Sequence, residues 1–325
     1  MKSLITKRNS KTLMLVGIIM ITFFAVSLEG TFNIAQAFNW GDKKDKGQCL
    51  ISKKDRKRPV RFSQSINCGD TIEPGQKVRL NRDLNCAETD FAAAITVNGP
   101  AVLDLNGHTI TGNDSMDGIV VEGENAKIKH GKVTACLRGV FLKGRDIEGH
   151  HQIFKILATE NFVGFFIESN DNLLQRNVAK KSSYGAFMIY GDKNKVRSNK
   201  AKANDSDGFE IGGTENRIVR NISKDNEYRG IEINGERNFI AKNKSINNTG
   251  VGIEVDGDEN KVRKNILKNN GGPGIDLLPG AVANVMIRNT AKGNGEFDIQ
   301  DPNDACEGNR WGSNRFGTCN QDCIR

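Results

Sequence analysis

Acidic residues return in this chain at a fixed interval: Glu210, Glu232, Glu254 and Asp276 are each two residues after a glycine, and Asp298 holds the matching place one interval on. In a segment such as Gly230-Ile231-Glu232-Ile233, strand alternation sends the isoleucines to one side and the carboxylate to the other. Stacked strand on strand, these carboxylates would form an outward column spaced by about 4.8 Å. Like charges facing one another across strands are destabilising, so such a column calls for cations. Calcium held by carboxylate oxygens is one source, and basic groups on a partner are another. Glu232, Glu254, Asp256 and Asp258 are the candidate calcium ligands, the Glu254 coil being the richest in acid. Arg229 stands beside the column as a candidate general base, which would remove the C5 proton of a uronate whose carboxylate the cation neutralises. The plain alternative is a solvated acidic face relieved by nearby lysines.

At the same offset in earlier repeats stand Val120, Phe141, Phe166 and Phe187. An apolar outward stripe that merges into an acidic one reads as a binding face, because sugars stack on aromatic rings. The candidate ligand-binding residues are therefore Phe141, Phe166, Phe187, Glu210, Glu232 and Asp276. A loop or the N-terminal arm laid over the phenylalanines would account for them equally well. Two basic columns run elsewhere, one through Arg176, Arg220, Lys242, Lys264 and Arg288, the other through Lys180, Lys202, Lys224, Lys268 and Lys292. Such ladders keep strand edges from sticking together, and they could also track a polyanion.

These residues are positioned by a repeat of about 22 residues. Residues 208–229, 230–251 and 252–273 align almost without gaps. Asn172, Asn194, Asn216, Asn238 and Asn260 form one column; Asn177, Asn199, Asn221, Asn243 and Asn265 form a second; Asn204, Asn226, Asn248 and Asn270 form a third. Aliphatic residues Leu174, Val196, Ile218, Ile240 and Val262 lie between the first two. Short alternating apolar runs at this period, without helical spacing, predict an all-β parallel solenoid of roughly nine coils, about 40 Å long. One coil turns only about four apolar side chains inward and leaves its strand edges bare, so it cannot fold alone. The asparagines are expected in the turns, where they tolerate left-handed backbone and can bond from coil to coil as ladders.

Residues 1–37 read as a secretory signal peptide: Lys2, Lys7, Arg8 and Lys11 precede an apolar run from Leu13 to Val26, and Ala35-Gln36-Ala37 offers a cleavage site. That run of about 14 residues is shorter than the roughly 20 a spanning helix needs, and no later run is apolar enough. A secreted or periplasmic chain with no transmembrane segment after signal removal follows. The formal charge of +8 comes partly from a basic arm at 38–67, an N-terminal cap is expected at 68–100, the solenoid at 101–300 and a cysteine-rich cap at 301–325. In an oxidising compartment the terminal cysteines would staple the caps, Cys68 with Cys86 and Cys306 with Cys319 or Cys323; Cys136 reads as a buried, inert thiol. A zinc site of Cys306, Cys319 and Cys323 is the alternative. Nucleic-acid binding is disfavoured, because aromatic residues are not interleaved with the basic ones.

The Gly-Ile-x-Ile, Asn-x-Ile-x-x-Asn and Leu103-Asp104-Leu105-Asn106-Gly107-His108-Thr109-Ile110 elements resemble the right-handed parallel β-helix proteins of the pectin-lyase-like superfamily, over about residues 68–300. The group includes NosD-type periplasmic proteins and polysaccharide-processing enzymes. The resemblance implies a single-stranded right-handed β-helix and specifies function hardly at all. The paired-Asp and Gly-His-Gly pattern of polygalacturonases and the Asp-Pro-His-Asp element of alginate epimerases are absent, and four histidines and six methionines are sparse for a NosD-like copper role. The expected function is binding of polysaccharide or cell-envelope glycan through the acidic and aromatic face, without catalysis. A calcium-assisted polyuronate lyase and a NosD-like accessory protein are the alternatives.

Overall fold

The computed structural model describes residues 65–145, 147–306 and 308–324. The segment expected to be a signal peptide, most of the expected basic arm and Cys49 lie outside them. The chain winds as a solenoid whose every strand pair is parallel, with three faces per coil. The first face is a sheet of eleven strands, from Asp70–Ile72 to Ile299–Gln300. Ten steps of about 4.8 Å make it about 48 Å long. The sequence counted roughly nine coils because the first two strands of this sheet, Asp70–Ile72 and Ala93–Asn98, fall in the segment read as the N-terminal cap.

The second and third faces are parallel ladders represented in one coil by Leu173–Gln175 and Val178–Lys180. The long strands Lys127–Thr134 and Gln152–Thr159 cross the corner between them and pair with both ladders. A single left-handed residue makes that corner, His130 or Lys155 in those strands and Arg176, Arg220, Lys242, Lys264 or Arg288 in later coils. The first basic column is thus the corner column. At each later corner the asparagine follows the left-handed residue instead of adopting its geometry, which corrects the turn role expected from sequence.

The asparagines are buried side chains that lace coil to coil. Asn243 donates its backbone N–H to Asn265 Oδ1 at 2.8 Å and its amide to Ile218 O at 2.9 Å, while its own Oδ1 accepts the Asn221 N–H at 2.8 Å. Inside, the first face contributes two residues per strand. Phe165, Phe187 and Phe209 stack at 4.6 and 4.7 Å and then give way to Ile231, Ile253, Ile275 and Ile299. The second face contributes the aliphatic column Leu174 to Val262, as its spacing implies. The repeat glycine is required by space: a Cβ on Gly230 would run into Ser245 Oγ and stand 2.6 Å from the Gly252 carbonyl oxygen.

Disulfides join Cys68 to Cys86 and Cys306 to Cys323. The second resolves the choice left open by sequence and removes two of the three thiols of the zinc alternative. Cys136 is buried, and burial pushes its thiol up to about 12, so it is inert. Among the described residues no helix is long and apolar enough to cross a membrane.

Candidate functional site

The outward column of the first face runs, by strand register, through Val120, Phe141, Phe166, Met188, Glu210, Glu232, Glu254, Asp276 and Gln300. Two positions differ from expectation. Phe187 points inward, fully buried in the phenylalanine stack, because strand Gly185–Ile189 places Met188 opposite Phe166. Asp298 is replaced in the column by Gln300; its carboxylate instead accepts the Asn294 N–H at 3.1 Å and the Asn294 amide at 3.0 Å, terminating the third asparagine ladder.

Phe141 and Phe166 do face outward, but the Arg138 guanidinium lies 3.7 Å from the Phe141 centroid and 5.5 Å from that of Phe166. Arg138 is fixed by two 2.7 Å bonds to Asp117. A side chain of the same face therefore covers Phe141; most of the N-terminal arm, the alternative cover, lies outside the described residues. Tyr190 packs edge-on to Phe166 at 5.5 Å and donates its hydroxyl to Glu210 Oε1 at 2.6 Å, linking the aromatic and acidic halves of the column.

The cation that the column needs is Arg229. Its guanidinium bonds Glu232, reaches Glu254 Oε1 at 3.0 Å and lies 3.8 Å from Asp207 Oδ2, while its backbone N–H donates to Asp207 Oδ1 at 2.8 Å. Glu232 and Glu254, read as calcium ligands, are thus bridged by an arginine. Asp258 accepts the Val282 N–H at 2.8 Å, holding a turn, and Asp256 is exposed. No group of three or more His, Cys, Asp or Glu side chains suited to a metal ion exists among the described residues. The place expected for calcium between Glu232 and Glu254 is taken by the Arg229 guanidinium, in an ion-pair network. Arg229 also fails as a general base: Glu232, Glu254 and Asp207 hold its proton more tightly, outweighing the effect of burial, and a guanidinium is already too basic to release one.

Burial dominates the electrostatics of the remaining acids. Asp207 is pushed up to about 7 by burial and by the charge of Glu232. Asp276 reaches about 7 by burial and the charges of Glu254 and Asp301, and its Oδ1 is buried without a hydrogen-bond partner. Glu210 and Glu254 are raised, first by burial. The face therefore combines groups that exchange protons near neutrality with acids held by Tyr190 and Arg229.

Several members of the site were missed from sequence. Phe162 and Tyr184 stack at 5.0 Å along the edge that leads into this face, and Tyr228 follows in the same corner column, its ring 4.4 Å from the Arg229 guanidinium carbon. All three are solvent-exposed, at 43%, 54% and 48%. Their spacing by whole repeats was available as a signal. Asp207 stands in register with Arg138, Val163 and Gly185, and it precedes Gly208 as Arg229 precedes Gly230 one repeat on, a signal that placed the two side by side.

Two family profiles match the chain: right handed beta helix region over residues 163–314, and periplasmic copper-binding protein (NosD) over residues 94–231. The chain therefore has the right-handed parallel β-helix fold that the first profile describes. Solved structures agree on the fold. The periplasmic alginate epimerase AlgG is 15% identical with a TM-score of 0.54, over 76% of this chain and 69% of that one. The A-module of mannuronan C-5 epimerase AlgE4 from Azotobacter vinelandii is 15% identical with a TM-score of 0.51, over 76% of this chain and 86% of that one. No curated protein sequence matches. For copper, named in the second profile, the described residues offer no group of three or more His, Cys, Asp or Glu side chains. His108, His130 and His150 each sit on a carboxylate, at 3.1, 3.4 and 3.2 Å, and His151 is buried with Nδ1 accepting the Ala126 N–H.

Proposed function

We propose that this β-helix is an exported glycan-binding protein whose first face holds a saccharide. The observation that carries the reading is the juxtaposition on one face of exposed Phe162, Tyr184 and Tyr228 with a polar column fixed by Tyr190 and Arg229. Exposed rings take the apolar faces of pyranoses, and pre-positioned carboxylates accept sugar hydroxyl protons. Five acids, Asp207, Glu210, Glu232, Glu254 and Asp276, share this surface with Arg229. That balance favours a neutral or amino-bearing glycan over a uronate on this face. The alginate epimerases among its structural neighbours support a carbohydrate setting at the level of fold. The two disulfides support a location outside the cytoplasm.

Catalysis is the second reading, favoured by Asp207, whose carboxyl titrates at about 7 beside Arg229 and Glu232 and so can serve as an acid or a base. One experiment separates the two. Glycan-array binding and calorimetry on the mature chain should detect a neutral or amino-sugar oligosaccharide, with Tyr184→Ala/Tyr228→Ala losing affinity and no new reducing ends or unsaturated product formed. Turnover abolished by Asp207→Asn would establish the enzyme, and binding unaffected by the tyrosine variant would remove the proposed face.

A further inference from the structure

Away from the first face, the second face and its corner with the third form an open groove of about 510 Å³. Arg197, Arg217, Arg220, Lys242, Arg263 and Lys264 surround Phe239 in it, and no carboxylate lines it. None of the six forms an ion pair with a carboxylate of the described residues; the one polar side-chain partner among them is Gln175, whose Oε1 accepts from Arg197 at 2.8 Å. This contrasts with Arg79, Lys129, Arg138 and Lys181 elsewhere, each of which has found an acid. Phe239 lies between two of the arginines, with guanidinium carbons 4.5 Å (Arg217) and 5.9 Å (Arg263) from its centroid. Packing on the ring limits the rotamers of both, so their forks are directed into the groove before any ligand arrives.

We infer that this groove is a second binding site, for a linear anionic glycan carrying one carboxylate or sulfate per sugar. Three features select that ligand. The cations repeat coil by coil, so their spacing follows the inter-strand distance of about 4.8 Å, close to the advance of one pyranose unit along an extended chain. Arginine forks match carboxylate and sulfate oxygens in bidentate fashion. The concave floor admits a single chain and excludes a flat bilayer, and its lone aromatic ring provides no series of stacking platforms for nucleobases. The parallel ladder sets the array: the three aligned αL corners bring Arg220, Lys242 and Lys264 into file, and a polyanion laid along that file would relieve their repulsion. The site is independent of the first face, which is acidic, so the two would hold chemically different glycans or different stretches of a mixed one.

The test is binding of de-esterified polygalacturonate to the mature chain at low salt, beside fully methyl-esterified pectin as the same backbone without charge. Wild type should bind the acid form and not the ester, with affinity falling as salt rises. Arg217→Ala/Arg263→Ala should weaken binding at least roughly tenfold, a change of about 1.4 kcal/mol. Arg217→Lys/Arg263→Lys, which keeps the charge, should retain an intermediate affinity. Lys143→Ala/Lys181→Ala removes the same charge outside the groove, from side chains paired with Glu122 and Glu160, and should leave binding unchanged. Thermal melts establish that every variant is folded. Equal losses in the groove and control variants, binding of the ester, or a preference for anionic vesicles or single-stranded DNA would each overturn the inference. Tyr184→Ala/Tyr228→Ala should not affect this binding, so failure of one site is distinguishable from failure of the other.

Discussion

Replacing Arg229 by Gln tests whether this residue is the counter-ion of the acidic column. The wild-type guanidinium is 19% exposed and faces Glu232, Glu254 and Asp207, whose side chains are 13%, 10% and 11% exposed. Removing one partner of a buried ion pair costs about 3–5 kcal/mol, and the partial exposure here reduces that to about 2–4 kcal/mol at pH 8, when the acids are ionised. The dependence on pH has a definite sign. Asp207 and Glu254 already bind protons more tightly than free carboxyls, and loss of Arg229 raises their affinity further. The variant therefore binds more protons in its folded state, and its deficit shrinks as pH falls from 8 to 5. Urea unfolding at both pH values measures the difference, and hydrogen exchange at Ile231 and Ile253 reports the affected coils where a solenoid opens locally. Arg229→Lys should recover part of the loss. A cost below about 1 kcal/mol at pH 8, or the same cost at pH 5, would refute the counter-ion role.

Asp276→Asn should stabilise the protein above pH 7 by about 2–4 kcal/mol, because the folded carboxyl titrates at about 7; its stabilising share is fully present below pH 4 and lost as pH rises through 7, which a pH series of thermal melts would show as a flattened profile. His151 titrates at about 4 when folded, so between pH 6.5 and 4 the unfolded chain takes up the proton first and stability falls; His151→Asn, which puts an amide at the head of the first asparagine column, should remove that acid-side loss in the same melts. Asn243→Leu strands the buried Asn221 N–H and the Ile218 carbonyl, each worth about 1–3 kcal/mol, and a denaturation midpoint unchanged from wild type would contradict the ladder. Phe187→Ala should cost about 3–5 kcal/mol of unfolding free energy by opening the inner stack, whereas an outward Phe187 would cost little.

The period, the aliphatic columns and the asparagine columns were legible because a solenoid writes its register into the chain: each coil must satisfy the same neighbours, so the same residue types return at the same offsets. Strand alternation then placed Glu210, Glu232, Glu254 and Asp276 outward from Ile231 and Ile233 without further information. Two positions were misassigned. Phe187 and Met188 are adjacent and both apolar, but the 22-residue interval from Phe166 to Glu210 passes through Met188, and Phe187 belongs to the inner column with Phe165 and Phe209. Asp298 follows a two-residue insertion in the preceding coil, and the strand partner of Asp276 became Gln300.

The sequence by itself determined the architecture, because fold here is nearest-neighbour stacking and the stacking residues are periodic. It also identified which cysteines lie near the ends, although only the structure paired Cys306 with Cys323. The site was decided by tertiary structure alone. Whether a carboxylate column draws a metal ion or an arginine depends on where one side chain swings, and Arg229 reaches across to Glu232, Glu254 and Asp207 from three coils. Whether a basic column is a dispersed edge or a groove likewise depends on how Phe239 packs between Arg217 and Arg263, a contact between coils that no residue type in isolation encodes.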